Sequence, residues 1–517
     1  MTGTDEFDYV VVGGGTAGCV LANRLSADPA VRVLLLEWGP DDADEPRAQS
    51  LRRWADMLEG EYDLDYRSVE NVRGNSGIRQ SRARIIGGCS TCNTMIAWKP
   101  LRSDLDEWVA LGAVGWTPEA LEPAWERLSA PIAPVGAGDR NPHVVDVVEA
   151  ASKALGLPVV DDWNRRGISE GAGFFDVGYD PATNQRSSAS HSYLHPVEDR
   201  PNLVVRTERR AVGLVVENGR CTGVRTVDAG GAAHLDRARA EVIVACGAID
   251  TPRLLQLSGI GPRDVLEAAG VPVVVDSPGV GRNLQDHAEG MVVFEIADDI
   301  DPTVCASGWD GGYVVRVEEG RGPDVSTHAP VEAWTAQLEA AGIELPERLF
   351  ALAPNVAKPA SRGRVWITSA DPDVAPSIDY GSFTDPDGHD ERMLVEGVRL
   401  ARRVAAAPPL AARVVREVFP GPGVTSDEDV SAAERAVHNT VYHVSCTARM
   451  GADGDPEAVL DERLRVRGVA GLRVADASAF PTLTALNPVI TIMVLAERAA
   501  ELVLEDAAAT RSVDASD

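Results

Sequence analysis

The run Tyr9-Val10-Val11-Val12-Gly13-Gly14-Gly15-Thr16-Ala17-Gly18 constrains this chain more than any other. An apolar strand that enters a GxGxxG turn and leaves as a helix has few structural solutions. Tyr9 to Val12 reads as the strand, and Thr16 to Ser26 as a helix with apolar Val20, Leu21 and Leu25. Val31 to Leu36 is a continuous apolar run ending at Glu37, the pattern of a strand buried in a parallel sheet. The glycines differ in what they allow. Gly13 permits the tight turn, Gly15 lets backbone approach a pyrophosphate, and Gly18 lets helix pack on strand. The helix start, with Thr16 and Ala17, offers N–H groups and a positive dipole end to phosphate. Glu37 follows Gly18 by 19 residues, where a carboxylate would bond ribose hydroxyls. The unit predicts a Rossmann-type nucleotide site, and FAD and NAD share its fingerprint.

Further elements of this kind recur late. Leu203 to Val205, Arg210 to Val216 and Cys221 to Val227 read as short strands, with a turn at Asn218-Gly219. Glu241 to Ala245 reads as another buried strand, ending at Cys246-Gly247. Residues 290–380 mix short β patterns with Pro/Gly loops, while Val430 to His438 and Ile490 to Leu504 read as helices. A chain of 517 residues that is 44% hydrophobic is too long for one core and suits two domains. Because nucleotide-type elements lie at the start, middle and end, the domains should interleave. The expected division gives residues 1–145, 185–288 and 441–505 to the nucleotide domain and 146–184 and 289–440 to a second domain. Residues 506–517 form a polar, Ala-rich tail that is expected to fray.

Charge and cysteine usage exclude some roles. A net charge of −30 makes nucleic acid a poor partner, since phosphate needs basic surface. The most apolar late run, Pro488 to Ala496, is too short to span a bilayer. The first residues lack a basic segment of the kind that opens a signal peptide, and seven scattered cysteines suit a reducing compartment. The expectation is a cytoplasmic protein away from membranes. No metal site is expected, and a homodimer is compatible with the sequence.

Other motifs choose the cofactor. Arg84-Ile85-Ile86-Gly87-Gly88-Cys89-Ser90-Thr91-Cys92-Asn93 resembles the first signature of the glucose–methanol–choline (GMC) oxidoreductases. Gly247 to Pro252, continuing through Ser258-Gly259-Ile260-Gly261, resembles the second. Asn283-Leu284-Gln285-Asp286-His287 resembles the family's NLxDH loop, and Tyr442-His443 through Arg449-Met450-Gly451 its catalytic-histidine segment. Leu472 to Ser478 and Asn487-Pro488 complete a set in family order from Phe7 to about Leu504. The resemblance implies a mixed α/β fold, in which a Rossmann-type FAD-binding domain interleaves with a substrate domain built on an antiparallel sheet covered by helices. It also implies oxidation of alcohols. Within the family the likeness runs to its bacterial choline-oxidising branch.

The resemblance implies roles for single residues. His443 would take the hydroxyl proton as hydride leaves the alcohol carbon, and Asn487 would hydrogen-bond the same oxygen. His328 matches a further active-site histidine. To Gly13, Gly15, Thr16, Ala17, Gly18 and Glu37 it adds Arg84, Gly87, Gly88, Ser90, Cys92, Asn93, Thr94, Val212, Cys246, Gly247, Asp476, Ala477, Asn487 and Pro488 as cofactor contacts. Glu289 with Trp54, Trp309 and Tyr442 would hold a quaternary ammonium, through a carboxylate and aromatic faces.

Cys92 departs from the pattern: the choline-oxidising branch links FAD covalently through a histidine there, so noncovalent FAD is expected, with a Cys92 thioether as the alternative. Leu64, in place of a further tryptophan, implies a changed entrance. The expected function is FAD-dependent oxidation of a primary alcohol, preferably a choline-like ammonium alcohol, with oxygen as acceptor. Three alternatives stay open: a dehydrogenase using another acceptor and a different alcohol, a flavin-containing lyase, and a thiol-redox protein built on the Cys89/Cys92 pair.

Overall fold

The computed structural model describes residues 6–167, 169–319 and 322–514. Its first sheet grows from the opening unit. Strand Glu6–Val12 lies parallel to Val33–Leu36 on one side, with Val12 opposite Leu36, and to Ala233–Val244 on the other, with Val12 opposite Val244. Leu203–Arg206 extends the parallel order beyond Val33–Leu36. Val33 to Leu36 are all buried, because helices cover both faces of such a sheet. Each side chain of that size gains roughly 1.5–3 kcal/mol on full burial.

Ala233–Val244 is longer than the expected strand, and it serves two partners along one edge. Its first half pairs antiparallel with Arg220–Asp228, and its last residues pair parallel with Leu472–Val474. Arg220–Asp228 forms a hairpin with Arg209–Glu217. Asn218 and Gly219 make the connection with φ of 50° and 77°, the left-handed pair that a two-residue hairpin turn requires.

The second sheet is antiparallel. Its order is Val414–Phe419, Val292–Ile296, Leu349–Val356, Val325–His328, Gly311–Val315 and Gly171–Phe174. The short strands Ala288–Glu289 and Asn439–Thr440 join it beside Leu349–Val356. Helix His389–Ala405 packs across it with Leu394, Val398, Ala401 and Ala405 buried, and helix Pro142–Leu155 lies alongside. Asn141 caps the latter by accepting from the His143 N–H at 2.9 Å. These two layers are the expected mixed architecture.

Three expectations change. Helix Asp427–Val437 starts earlier than the apolar pattern, because Ser426 caps it and its first turn is acidic. Val31 stands outside the strand, which begins at Val33. The tail does not fray over its described part, and the last helix runs Val489–Asp514. Asp506 pairs with buried Arg473 and with Arg463, which holds that segment to the sheet; residues 515–517 lie outside the described residues. Among the described residues no helix is long and apolar enough to cross a membrane.

The opening turn yields a test. A Cβ at Gly18 would overlap the Gly13 carbonyl oxygen, whereas one at Gly138 would meet nothing within 4 Å. Gly18→Ala should therefore lower stability by about 1–3 kcal/mol or more and strip the nucleotide site. Gly138→Ala should stay within about 0.5 kcal/mol of the parent. Thermal denaturation and bound-flavin absorbance check both.

Candidate active site

One cavity runs from the Gly13–Gly15 turn to Trp309 and Trp334. At its nucleotide end, helix Thr16–Leu25 begins at Gly15 with no side-chain cap, so its first N–H groups are left for a ligand. Gly88 and Gly15 approach so closely that a Cβ on Gly88 would lie 2.7 Å from the Gly15 Cα. Helix Gly247–Leu257 also starts on the cavity wall, with no cap from Cys246 itself and its first N–H taken by Asp476. Glu37 lies where a ribose would need it, accepting from the N–H groups of Gly14 (2.8 Å) and Gly39 (2.7 Å). Burial pushes its carboxyl up to about 7. An uncapped helix start, a glycine cradle and a buried carboxylate fit a dinucleotide cofactor.

Most of the expected contacts line this cavity: Gly13, Gly15, Thr16, Ala17, Glu37, Arg84, Gly88, Cys92, Asn93, Thr94, Cys246, Gly247, Asp476, Ala477, Asn487 and Pro488. Four stand behind it. Gly18 packs on the Gly13 carbonyl, and Gly87 donates its N–H to the Gly14 carbonyl at 2.8 Å. Ser90 is fully buried, donating to the Gly87 carbonyl and accepting from the Ala189 N–H. Val212 lines a neighbouring cleft. A bulge between Ala211 and Gly213 shifts the register there, and Ala211 takes the cavity wall. Asp476 accepts from the Gly247 N–H, the Thr251 hydroxyl and the Ser478 N–H, so its carboxylate staples the turn at Gly247.

At the other end the polar groups form a directed chain. The Thr484 carbonyl lies 3.0 Å from His287 Nε2 and must accept its proton. Burial holds His287 down to about 3, so the ring is neutral and its Nδ1 is an acceptor. His443 Nδ1, 2.8 Å away, therefore donates to it. This assigns the acceptor lone pair of His443 to Nε2, which accepts from the Asn487 amide N–H at 3.3 Å. Trp98 Nε1 donates to Asn487 Oδ1 at 3.2 Å and sets the amide's orientation. The His443 N–H is held by Asp286 at 2.8 Å, and burial raises that carboxyl to about 6. Burial, then His287, keeps the His443 ring well below its usual range and neutral.

His328 is the complement. Asn355 Nδ2 donates to His328 Nδ1 at 3.3 Å, which leaves the proton on Nε2. That Nε2 is buried without a partner, and burial lowers the ring to about 4. The cavity thus holds a neutral imidazole acceptor on His443 and a neutral imidazole donor on His328. One can accept a hydroxyl proton while the other hydrogen-bonds the oxygen left behind.

Glu289 is 6% exposed, with Oε2 buried and unpartnered. Burial, then Asp286, pushes its carboxyl well above the usual range. Beside it the aromatic wall has a member that sequence reasoning missed. Trp334 stacks on Trp54 at 5.0 Å and meets Trp309 and Tyr442 edge-on at 6.2 and 6.5 Å. No motif marks Trp334. The acceptor role of His287 was also missed, although its NLxDH-like loop is plain in the sequence.

The fold and the site together define a flavoprotein oxidoreductase that acts on a CH–OH group. The family model for GMC oxidoreductase matches residues 7–289 and, in its carboxy-terminal part, residues 359–496. The chain is 43% identical to choline oxidase from Arthrobacter globiformis, across 96% of this chain and 94% of that protein. It is 32% identical to alcohol dehydrogenase [acceptor] from Pseudomonas putida, across 96% of each. Among solved structures it resembles pyridoxine 4-oxidase from Mesorbium loti, with a TM-score of 0.89, 28% identity, and 96% of this chain and 98% of that one covered. The chain belongs to the GMC oxidoreductase family, and its cofactor is FAD.

The hydrogen-bond direction sets an expected outcome. His443→Ala should lower kcat/KM about 10²–10⁴-fold while bound-flavin absorbance is kept. Asn487→Ala should cost about 1.5–3 kcal/mol of transition-state stabilisation. A depressed imidazole is protonated only below the ordinary histidine range. The acid limb of kcat/KM assigned to His443 should therefore lie below about 6.5, and a limb at or above that value would contradict the neutral network.

Proposed function

We propose that the chain oxidises a primary alcohol, preferring a choline-like ammonium alcohol, with oxygen as the electron acceptor. The observation that carries this reading is the buried Glu289 carboxyl, its Oε2 unpartnered, lining the same cavity as Trp54, Trp309, Trp334, Tyr442 and His443. A buried carboxyl with no partner is costly to ionise, and an ammonium group supplies the missing charge. Cation–aromatic contacts add about 0.5–2 kcal/mol each when desolvated. The net charge of −30 draws cations towards the protein at low salt.

FAD, when bound, supplies the acceptor for the hydride that leaves the carbinol carbon. His443 Nε2 takes the hydroxyl proton. Asn487 Nδ2 and His328 Nε2–H hold the resulting alkoxide oxygen, which favours departure of the hydride. Glu289 and the rings orient the ammonium end, and the apolar wall excludes water.

The 43% likeness to a choline oxidase supports oxygen as the acceptor. The likeness to an alcohol dehydrogenase [acceptor] favours a second reading, in which a carrier takes the electrons and the alcohol differs. The two sheets support the expected interleaved domains, with the first boundary moved from 145 to the loop before helix Pro142–Leu155. We read the location as cytoplasmic and the FAD as noncovalent.

Glu289→Gln keeps shape and removes charge. It should raise KM for an ammonium alcohol and leave a neutral alcohol of equal size nearly unchanged. In the parent, KM for the ammonium alcohol should fall as pH rises, because the cation binds the ionised carboxylate. Equal responses of both alcohols would make Glu289 structural. Separately, acid precipitation of the yellow protein should release all the FAD, and flavin retained in the pellet would establish a thioether.

A further inference from the structure

The Cys89/Cys92 pair stands outside the alcohol chemistry, yet it lines the same cavity. Gly88–Thr91 is a single 3₁₀ turn, and the Cys92 N–H closes it on the Cys89 carbonyl at 3.3 Å. The two cysteines lie one such turn apart, a spacing that brings their Cα atoms within reach of a disulfide. Both are free thiols.

Their surroundings differ from those of every other cysteine in the chain. Arg82 Nη1 donates to Cys89 Sγ at 3.6 Å. The neighbouring Cys92, then Arg82 and the Ala83 N–H, hold the Cys89 thiol well below the usual range against the cost of burial, while the Cys92 thiol itself donates to the Cys89 carbonyl at 3.8 Å. Burial pushes the thiols of Cys19, Cys221, Cys246, Cys305 and Cys446 up. Cys92 is also raised, chiefly by the neighbouring Cys89 and then by burial. Arg82 is fixed in turn by donating to the Tyr442 carbonyl at 2.9 Å. The guanidinium contact thus favours the thiolate at Cys89 and leaves Cys92 as the thiol, the asymmetry that a nucleophilic and a resolving cysteine need.

We propose that Cys89 and Cys92 form a peroxide-responsive dithiol, in which hydrogen peroxide closes a reversible disulfide within the cofactor cavity. The oxidant's source rests on the reading of oxygen as acceptor, since two-electron reduction of oxygen yields peroxide. The Cys89 thiolate attacks one peroxide oxygen. An S–O bond forms, the O–O bond breaks, and hydroxide leaves. Cys89 is then a sulfenic acid, and the anion that held the Cys92 proton is gone, while Arg82 and Arg186 still favour a thiolate at Cys92. The Cys92 sulfur attacks the Cys89 sulfur, the S–S bond forms, and the S–O bond breaks. The departing hydroxide leaves as water with the Cys92 proton. The first hydroxide becomes water with the proton that Cys89 released on ionising, so the two thiols together lose two electrons and two protons, and one peroxide becomes two waters.

The test uses holoenzyme and a small excess of hydrogen peroxide, with thiol titration and peptide mass mapping. Two of the seven thiols should disappear, and the peptide carrying Cys89 and Cys92 should lose two hydrogens. Dithiothreitol should restore both. In Cys92→Ser, dimedone should trap a sulfenic acid at Cys89, and in Cys89→Ser the Cys92 thiol should survive. Cys89 should react at least about tenfold faster than the other cysteines. Uniform slow oxidation, irreversible sulfinic acid at Cys89 in the parent, or a flavin thioether on Cys92 would overturn the proposal.

A second arm runs alcohol turnover in air with an oxygen electrode, and anaerobically with dichlorophenolindophenol. If turnover consumes no oxygen while added peroxide still closes the disulfide, the acceptor reading fails and the dithiol stands. If oxygen is consumed and neither generated nor added peroxide touches the pair, the dithiol is overturned and the acceptor reading stands.

Discussion

The walls of the cavity are held where backbone meets backbone with no side chain between. Gly18 rests on the Gly13 carbonyl, and Gly88 lies against Gly15. Gly39 meets the Arg84 carbonyl in the same way. Gly13 meets the Ala245 carbonyl as well, so these crossings bring three distant pieces of chain to one place: the opening turn, the 84–94 loop, and the strand end at Cys246. A single Cβ at such a point forces backbone apart, and packed interiors transmit the shift. The uncapped helix start, the buried carboxylate of Glu37 and the loop carrying both cysteines depend on those crossings for their positions.

Desolvation governs the chemistry beyond them. Charge is expensive in this cavity, so His287, His328 and His443 are all held neutral. Neutral imidazoles are directional, each with one donor and one acceptor. Two backbone or amide anchors, Thr484 and Asn355, are enough to decide which nitrogen donates and which accepts. The same cost pushes the unpartnered Glu289 carboxyl well above the usual range, so that its ionisation calls for a cation beside it. One physical effect therefore orders the proton path and shapes the substrate corner.

Cys89 is the exception, a thiol held well below its usual range in the same enclosure. A guanidinium donates to its sulfur and offsets part of the cost of burial. Arg82 touches both Cys89 and the carbonyl of Tyr442, the residue before His443. The cofactor loop and the histidine segment are thereby joined by one side chain. Tyr442 itself has a φ of 63°, a conformation that needs such fixing in a residue with a side chain.

Much of this protein is legible in its sequence. The strand–glycine–helix–strand order, Glu37 at its end, and the motif series through Asn487 named the fold and the cofactor and offered His443 and Asn487 as candidate catalytic positions, because local backbone geometry admits few residue types there. Glu289, Trp54, Trp309 and Tyr442 were legible as positions, and they do line one cavity. Trp334 was not, since an aromatic in a loop carries no local signal and its place comes from packing on Trp54. Val212 was misplaced by one residue because a bulge shifts its register, which is decided by strand pairing. The proton assignments of His443 and His328 depend on Thr484 and Asn355, 41 and 27 residues away in sequence. Sequence by itself determined which chemical groups the chain carries and the scaffold that presents them. Only the tertiary structure decided which are buried together and so neutral, which nitrogen bears the proton, and which cysteine meets the guanidinium, because solvent exclusion and hydrogen-bond direction arise from segments distant along the chain.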